Sequence, residues 1–249
     1  MSRFLEVYEP VEEGFISNII EAVKKVLKAV WNAIKKVYGF IKSKILAAYN
    51  KMKSLVLQQT DGSVTVTVST ALPMPVVSEA TLVQLKSVVY TKGMTDADKK
   101  YCELERRGME LFDSCIDNNP GFNLNELDIW ETEVEELVDD YDSFDIPPKE
   151  YTFDLDFYKN NFMRYQDPQM YLDNADGMKK AIVIQIEHLD DRFHRDSTSL
   201  QSWQIKGCNR IIGNLKELNG AYVEHQSWLA KENYKFYTAI INELTKRGM

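Results

Sequence analysis

Residues 13–58 constrain this chain more than any other stretch. On a wheel of about 100° per residue, one side carries Phe15, Ile16, Ile19, Ile20, Val23, Val26, Leu27, Val30, Trp31, Ile34, Val37, Tyr38, Phe40, Ile41, Ile45, Ala48, Tyr49, Met52, Leu55 and Val56. Lys24, Lys25, Lys28, Lys35, Lys36, Lys42 and Lys53 fill much of the other side; Lys44 and Lys51 sit at one border, and Leu46 is out of phase. The pattern predicts one amphipathic helix, about 68 Å long if unbroken at about 1.5 Å per residue. Gly39 is its weak point: glycine costs about 1 kcal/mol relative to alanine inside a helix, and a bend is expected there.

An apolar side this broad has to be covered, and three coverings are open. One is another protein chain, packed in an oligomer in the manner of a coiled coil. A second is the core of the same chain. A third is a lipid interface, for which lysines opposite Trp and Phe form a suitable pattern. Assembly is the leading reading. It makes Phe15, Ile16, Ile19, Val23, Val26, Leu27, Val30, Trp31, Ile34, Val37, Ile41 and Met52 the interaction side, with Lys24, Lys25, Lys28, Lys35, Lys36 and Lys42 as the basic face. If the helix serves assembly, removing residues 1–58 leaves a folded body; if the helix is core, the remainder unfolds. Nucleic acid is disfavoured as a partner, since neither Arg nor exposed aromatic residues accompany the lysines.

The net charge of −8 conceals a division. Residues 14–58 hold nine Lys and one acid, Glu21, whereas residues 59–249 hold 20 basic and 33 acidic residues. Such asymmetry implies either that one part docks on the other or that each meets a different partner. The densest acidic block is 122–158, with 13 Asp or Glu and the single Lys149. It is a candidate counterpart to the basic helix, a solvated face or a mimic of nucleic acid.

The chain divides into a basic amphipathic segment (1–58), a linker (59–79) and an acidic helical domain (80–249). Glu6, Glu9, Glu12 and Glu13 precede or open the first helix, where its dipole favours negative charge. In the linker, Asp61-Gly62 signals a turn, Val64, Val66 and Val68 alternate with Thr65 and Thr67 as in a short strand, and Pro73 and Pro75 forbid regular structure. Further helices are expected at about 80–91, from a Thr95 cap to about 116, at about 124–140, and at about 168–193, 197–218 and 221–247. Asn219-Gly220 is the expected stop that makes the last two an antiparallel pair. Tyr151, Phe153, Leu155 and Phe157 alternate with polar residues as a short strand or extended segment. The fold class is mainly α: a long N-terminal amphipathic helix, a partly extended linker and a C-terminal helical bundle.

No constellation points to catalysis. The sequence contains no G-x-S-x-G, no phosphate-binding glycine loop and no dinucleotide fingerprint. Asp139-Asp140-Tyr141-Asp142 lacks the glycine and terminal glutamate of a calcium loop. His188, His194 and His225, even with Asp191, do not build the ligand set of a metal centre. Cys102, Cys115 and Cys208 read as buried reduced thiols, odd in number and without zinc spacing. The expectation is therefore no enzyme, no cofactor and no metal. The N-terminus lacks the apolar core of a secretory signal, and no run of about 18 apolar residues is free of charge.

The order of features, a Lys-rich amphipathic helix, a Ser/Thr/Val/Pro linker ending Val77-Ser78-Glu79, then an acidic body rich in Tyr and Asn, resembles virion structural or internal head proteins of large tailed bacteriophages. The resemblance implies a non-enzymatic role in a protein assembly, in host cytoplasm or virion. In that family an N-terminal segment is sometimes removed by a head-maturation protease that cuts after a Glu with a small residue two positions before it, and Val77-Ser78-Glu79 followed by Ala80 has that form. The other readings are a membrane-associated protein with an interfacial helix and an acidic regulator.

Overall fold

A computed structural model describes residues 14–59, 64–72, 96–117, 122–142, 147–163, 167–169, 172 and 201–248. Within 14–30 it describes the side chains of Glu21, Lys24, Lys25, Lys28 and Ala29. The expected helix at 80–91, the Thr95 cap, the Asp61-Gly62 turn, the Glu79–Ala80 junction and nearly all of 168–193 lie outside the described residues.

The architecture is mainly α with one small sheet. The elements are α1 (Gly14–Phe40), a π-helical turn (Ile41–Ile45), α2 (Leu46–Gln58), β1 (Thr65–Thr70), α3 (Asp96–Ile116), α4 (Leu124–Asp142), β2 (Lys149–Asp154), α5 (Leu155–Asn161) and α6 (Ser202–Lys246). The expected long amphipathic helix is therefore present as α1 and α2 joined through the π turn.

That turn explains the one misfit of the helical wheel. The Leu46 N–H reaches back to the Ile41 carbonyl, an i→i+5 bond, and Ser43 Oγ donates to the Gly39 carbonyl at 2.7 Å. An added residue rotates the remainder of the helix by about 100°. Ile41, Ile45, Tyr49, Met52 and Val56 then point into one core, and Leu46 lies half-buried at its edge. The expected disturbance near Gly39 is thus a wide turn that keeps the helix continuous.

α6 is the spine. Its 45 residues extend about 68 Å. The expected break at Asn219-Gly220 does not occur. Asn219 is buried and spends its amide on helix and neighbour: Nδ2 donates to the Leu215 carbonyl at 2.6 Å, and Oδ1 accepts from the Tyr101 hydroxyl at 2.6 Å. Gly220 faces open space. Its helix penalty of about 1 kcal/mol is outweighed by the packing of Leu218 and Tyr222 on either side. No antiparallel pair forms from 197–218 and 221–247.

Two cores lie along this spine. The first joins α3 and α4 to the front half of α6, around Trp130, Phe112, Leu127, Leu137, Ile211 and Leu215, with Ile34 and Trp31 of α1 at its edge. Trp130 is fully buried and its indole N–H donates to the Leu104 carbonyl at 2.8 Å. Gly108 lets α3 pass close by: a Cβ there would lie 2.5 Å from the Trp130 ring and 2.9 Å from Leu215. Gln204 locks the corner where α6 begins. Its side chain accepts from the Gln201 N–H at 2.8 Å and donates to the last carbonyls of α3, Cys115 at 2.8 Å and Ile116 at 3.1 Å.

The second core joins the π turn and α2, the sheet, α5 and the rear half of α6. Tyr49 meets Tyr237 edge to face at 5.5 Å, Tyr158 packs on Phe236 at 5.7 Å, and the Tyr49 hydroxyl donates to the Met163 carbonyl at 3.1 Å. Phe40 meets Tyr234, and beyond α2 the Thr65 carbonyl accepts from Arg247 at 2.6 Å. Contacts therefore advance in the same direction along both long helices, which run parallel.

The alternating valines do form a strand, and its partner lies in the same chain. β1 pairs antiparallel with β2, with Val66 opposite Phe153 and Val68 opposite Tyr151. Val66, Val68 and Thr70 are buried on one face, and the Thr67 and Thr152 hydroxyls meet at 3.0 Å on the other. The segment read as linker thus contributes to the core. β2 ends earlier than the alternation over 151–157 suggests. Asp154 accepts from the Phe157 N–H at 3.0 Å and caps α5, so Phe157 is helical.

Candidate functional site

The outward side of α1 and α2 is the most distinctive surface among the described residues. Lys25, Lys28, Lys35, Lys36, Lys42, Lys44 and Lys51 are all exposed. From Lys25 to Lys51 the row extends about 39 Å along the helix axis. Among the described residues no ion pair reaches any of the seven. Lys24, expected on the same face, is buried at 5% exposure and pairs with Glu21 at 3.3 Å. Lys53 leans half-buried over the Tyr49 ring at 5.7 Å, its stem covering apolar surface.

The apolar side divides at residue 30. Ile34, Ile41 and Met52 are buried, and Trp31 and Val37 are half-buried against the two cores. These five of the expected interaction residues are covered by their own chain. Phe15, Ile16, Ile19, Val23, Val26, Leu27 and Val30 lie on a helical backbone with side chains outside the described set.

The acids of α4 find partners on α3 and α6. Arg210 grips Asp128 at 2.5 Å and Glu131 from two nitrogens, Arg107 pairs with Glu133, and Lys100 reaches Glu136 at 3.8 Å. Two carboxylates beside Arg210 raise its pKa, and Asn214 adds a 3.0 Å bond to Glu131. No described ion pair joins α4 to α1. Sequence reasoning missed these clasps because Arg107 and Arg210 look like ordinary surface residues until α3, α4 and α6 meet.

Elsewhere among the described residues, His225 and Tyr101 are buried and Cys102 is half-buried. His225 stacks on Tyr141 at 4.8 Å and on Trp228 at 6.0 Å, and burial lowers its pKa to about 4. Tyr101, stacked on Tyr222 at 4.0 Å, is raised by burial and then by the Glu105 charge. Burial, reinforced by Glu105 and Asp98, pushes the half-buried Cys102 up to about 12. His188, His194 and Asp191 lie outside the described residues, and no three metal-ligating side chains converge among those described. No described helix is long and apolar enough to cross a membrane.

Comparison with known proteins finds no matching family model, no matching curated protein and no matching solved structure.

Proposed function

We propose that this chain is a non-enzymatic structural or assembly protein, of the kind that tailed-phage virion proteins represent, and that it meets its protein partners through the lysine side of α1 and α2. One observation carries the reading. Seven lysines face outward in a row without an acid partner among the described residues, while the apolar side opposite them is spent on the protein's own core over residues 34–56. A row of like charge costs self-repulsion in the isolated chain and is relieved by an acidic partner.

Light scattering of the full chain at low and high salt tests it. The reading expects a complex at low salt, with a second copy or an acidic partner protein, that dissociates at high salt and in a Lys25, Lys28, Lys35, Lys36 and Lys42→Glu variant. A chain that stays monomeric at every salt concentration, and whose protein associations ignore the five substitutions, refutes it. A lipid interface is less well supported, because an interfacial helix needs the apolar side that residues 34–56 have already buried. Co-sedimentation with anionic vesicles, retained at high salt, would reverse that preference.

A further inference from the structure

Two of the three cysteines lie together where α3 ends and α6 begins. Cys115 and Cys208 are both fully buried, and both thiols are free. The Cys115 sulphur sits over the turn of α6 that carries Cys208. It donates to the Gln204 carbonyl at 3.3 Å, four residues before Cys208, and lies 2.9 Å from where a Cβ would stand on Gly207. A glycine at 207 is what allows the end of α3 to come this close. Hydrogen bonding with Cys208 holds the Cys115 thiol below its ordinary pKa, while the same neighbour and burial push Cys208 up. A lowered thiol beside a second cysteine is the arrangement in which one sulphur attacks and the other resolves.

We propose that Cys115 and Cys208 form a redox site that closes to a disulfide when the protein meets a peroxide. The Cys115 thiolate attacks the O–O bond of hydrogen peroxide, forming a sulfenic acid and releasing hydroxide, which takes up the thiol proton as water. The Cys208 sulphur then attacks the sulfenic sulphur and expels the second water. Two thiols lose two electrons and two protons, and one peroxide becomes two waters. The site is interior, but Cys115 lies one residue from the end of α3 and Cys208 two turns into α6. Local opening at this helix end, which has to break the Gln204 bonds to the Cys115 and Ile116 carbonyls, gives a small oxidant its route. The closed bond ties the end of α3 to the spine and restricts the unfolded chain over the long stretch between the two residues.

The full chain is treated with excess hydrogen peroxide, denatured, alkylated and mapped by mass spectrometry without reduction. The proposal expects one linked peptide pair joining Cys115 to Cys208, two hydrogens lighter than the sum of its thiols, with Cys102 alkylated as a free thiol. The treated protein also melts higher than the untreated one, and a reducing agent abolishes the difference. In Cys208→Ala, the reaction stops at a sulfenic acid on Cys115 that dimedone traps; the mapping of the unsubstituted chain decides the matter should that variant not fold. Three free thiols after treatment, a disulfide through Cys102, or Cys115 carried on to sulfinic acid without a crosslink overturns it.

Discussion

The two ends of α6 are built differently. At the front, α3 and α4 are neighbours in sequence, and helices with plain amphipathic spacing meet across polar clasps: Gln204 on two α3 carbonyls, Asn219 on Tyr101, and Arg210 on Asp128 and Glu131. At the rear, the core is aromatic and apolar, and it gathers α2, β1, β2 and α5 from distant parts of the chain. The front end is assembled from local contacts plus one long crossing, whereas the rear end exists only once residues 41–56, 64–72 and 149–163 have found each other on α6. Long-range closure costs chain entropy before contacts reward it. A continuous spine then makes the two ends a single cooperative unit.

The largest test of that unity is Phe236→Ala at the rear. Phe236 is fully buried against Tyr158 and Tyr237, and truncation is expected to cost about 3–5 kcal/mol. Urea unfolding followed by tryptophan fluorescence, which includes Trp130 at the front, should shift as one transition together with circular dichroism. Two separated transitions would mean that the ends melt independently.

Acid probes the junction between the ends. His225 is held at about 4 by burial, against about 6.5 in an unfolded chain. The unfolded state therefore takes up the proton first. Stability from this group is complete above about pH 6.5 and falls as pH drops towards about 4, by about 3 kcal/mol in full. His225→Gln should flatten the urea midpoint between pH 7 and 5; an unchanged slope would place the acid sensitivity elsewhere.

Glycines sharpen the contrast at smaller scale. Gly108→Ala forces a Cβ into the Trp130 ring and Leu215, with an expected loss of about 1–3 kcal/mol. Gly220→Ala meets nothing and should raise stability by up to about 1 kcal/mol, since the position is helical throughout. Paired urea melts would show opposite signs; a loss at Gly220 would indicate a kink that the continuous α6 does not have.

The front end was largely legible in the sequence. The apolar spacing of Leu127, Trp130, Val134 and Leu137 marks α4, and all four are buried. The features that were not legible depend on partners far away in the chain. Asn219-Gly220 reads as a helix stop because local preference ignores Tyr101, which occupies the Asn219 side chain. The valines of β1 read as a strand, but nothing local named β2 as the neighbour. Leu46 looked misplaced because a wheel assumes constant pitch, and the π turn breaks that assumption. The lysine row was legible apart from Lys24, which is buried, and Lys53, which leans half-buried over Tyr49; no periodicity announces either. The clasps of Arg107 and Arg210 on α4, and the meeting of Cys115 with Cys208, arise only from the crossing of helices.

Above all, the apolar side of residues 34–56 belongs to the protein's own core, which leaves the lysines as the outward surface of that stretch. Urea unfolding of residues 59–249 alone, followed by circular dichroism, tests this most directly. Without Ile41, Ile45, Tyr49, Met52 and Val56 to cover the rear of α6, the fragment is predicted to lose its cooperative transition. A soluble fragment with a sharp transition at the midpoint of the full chain would contradict it.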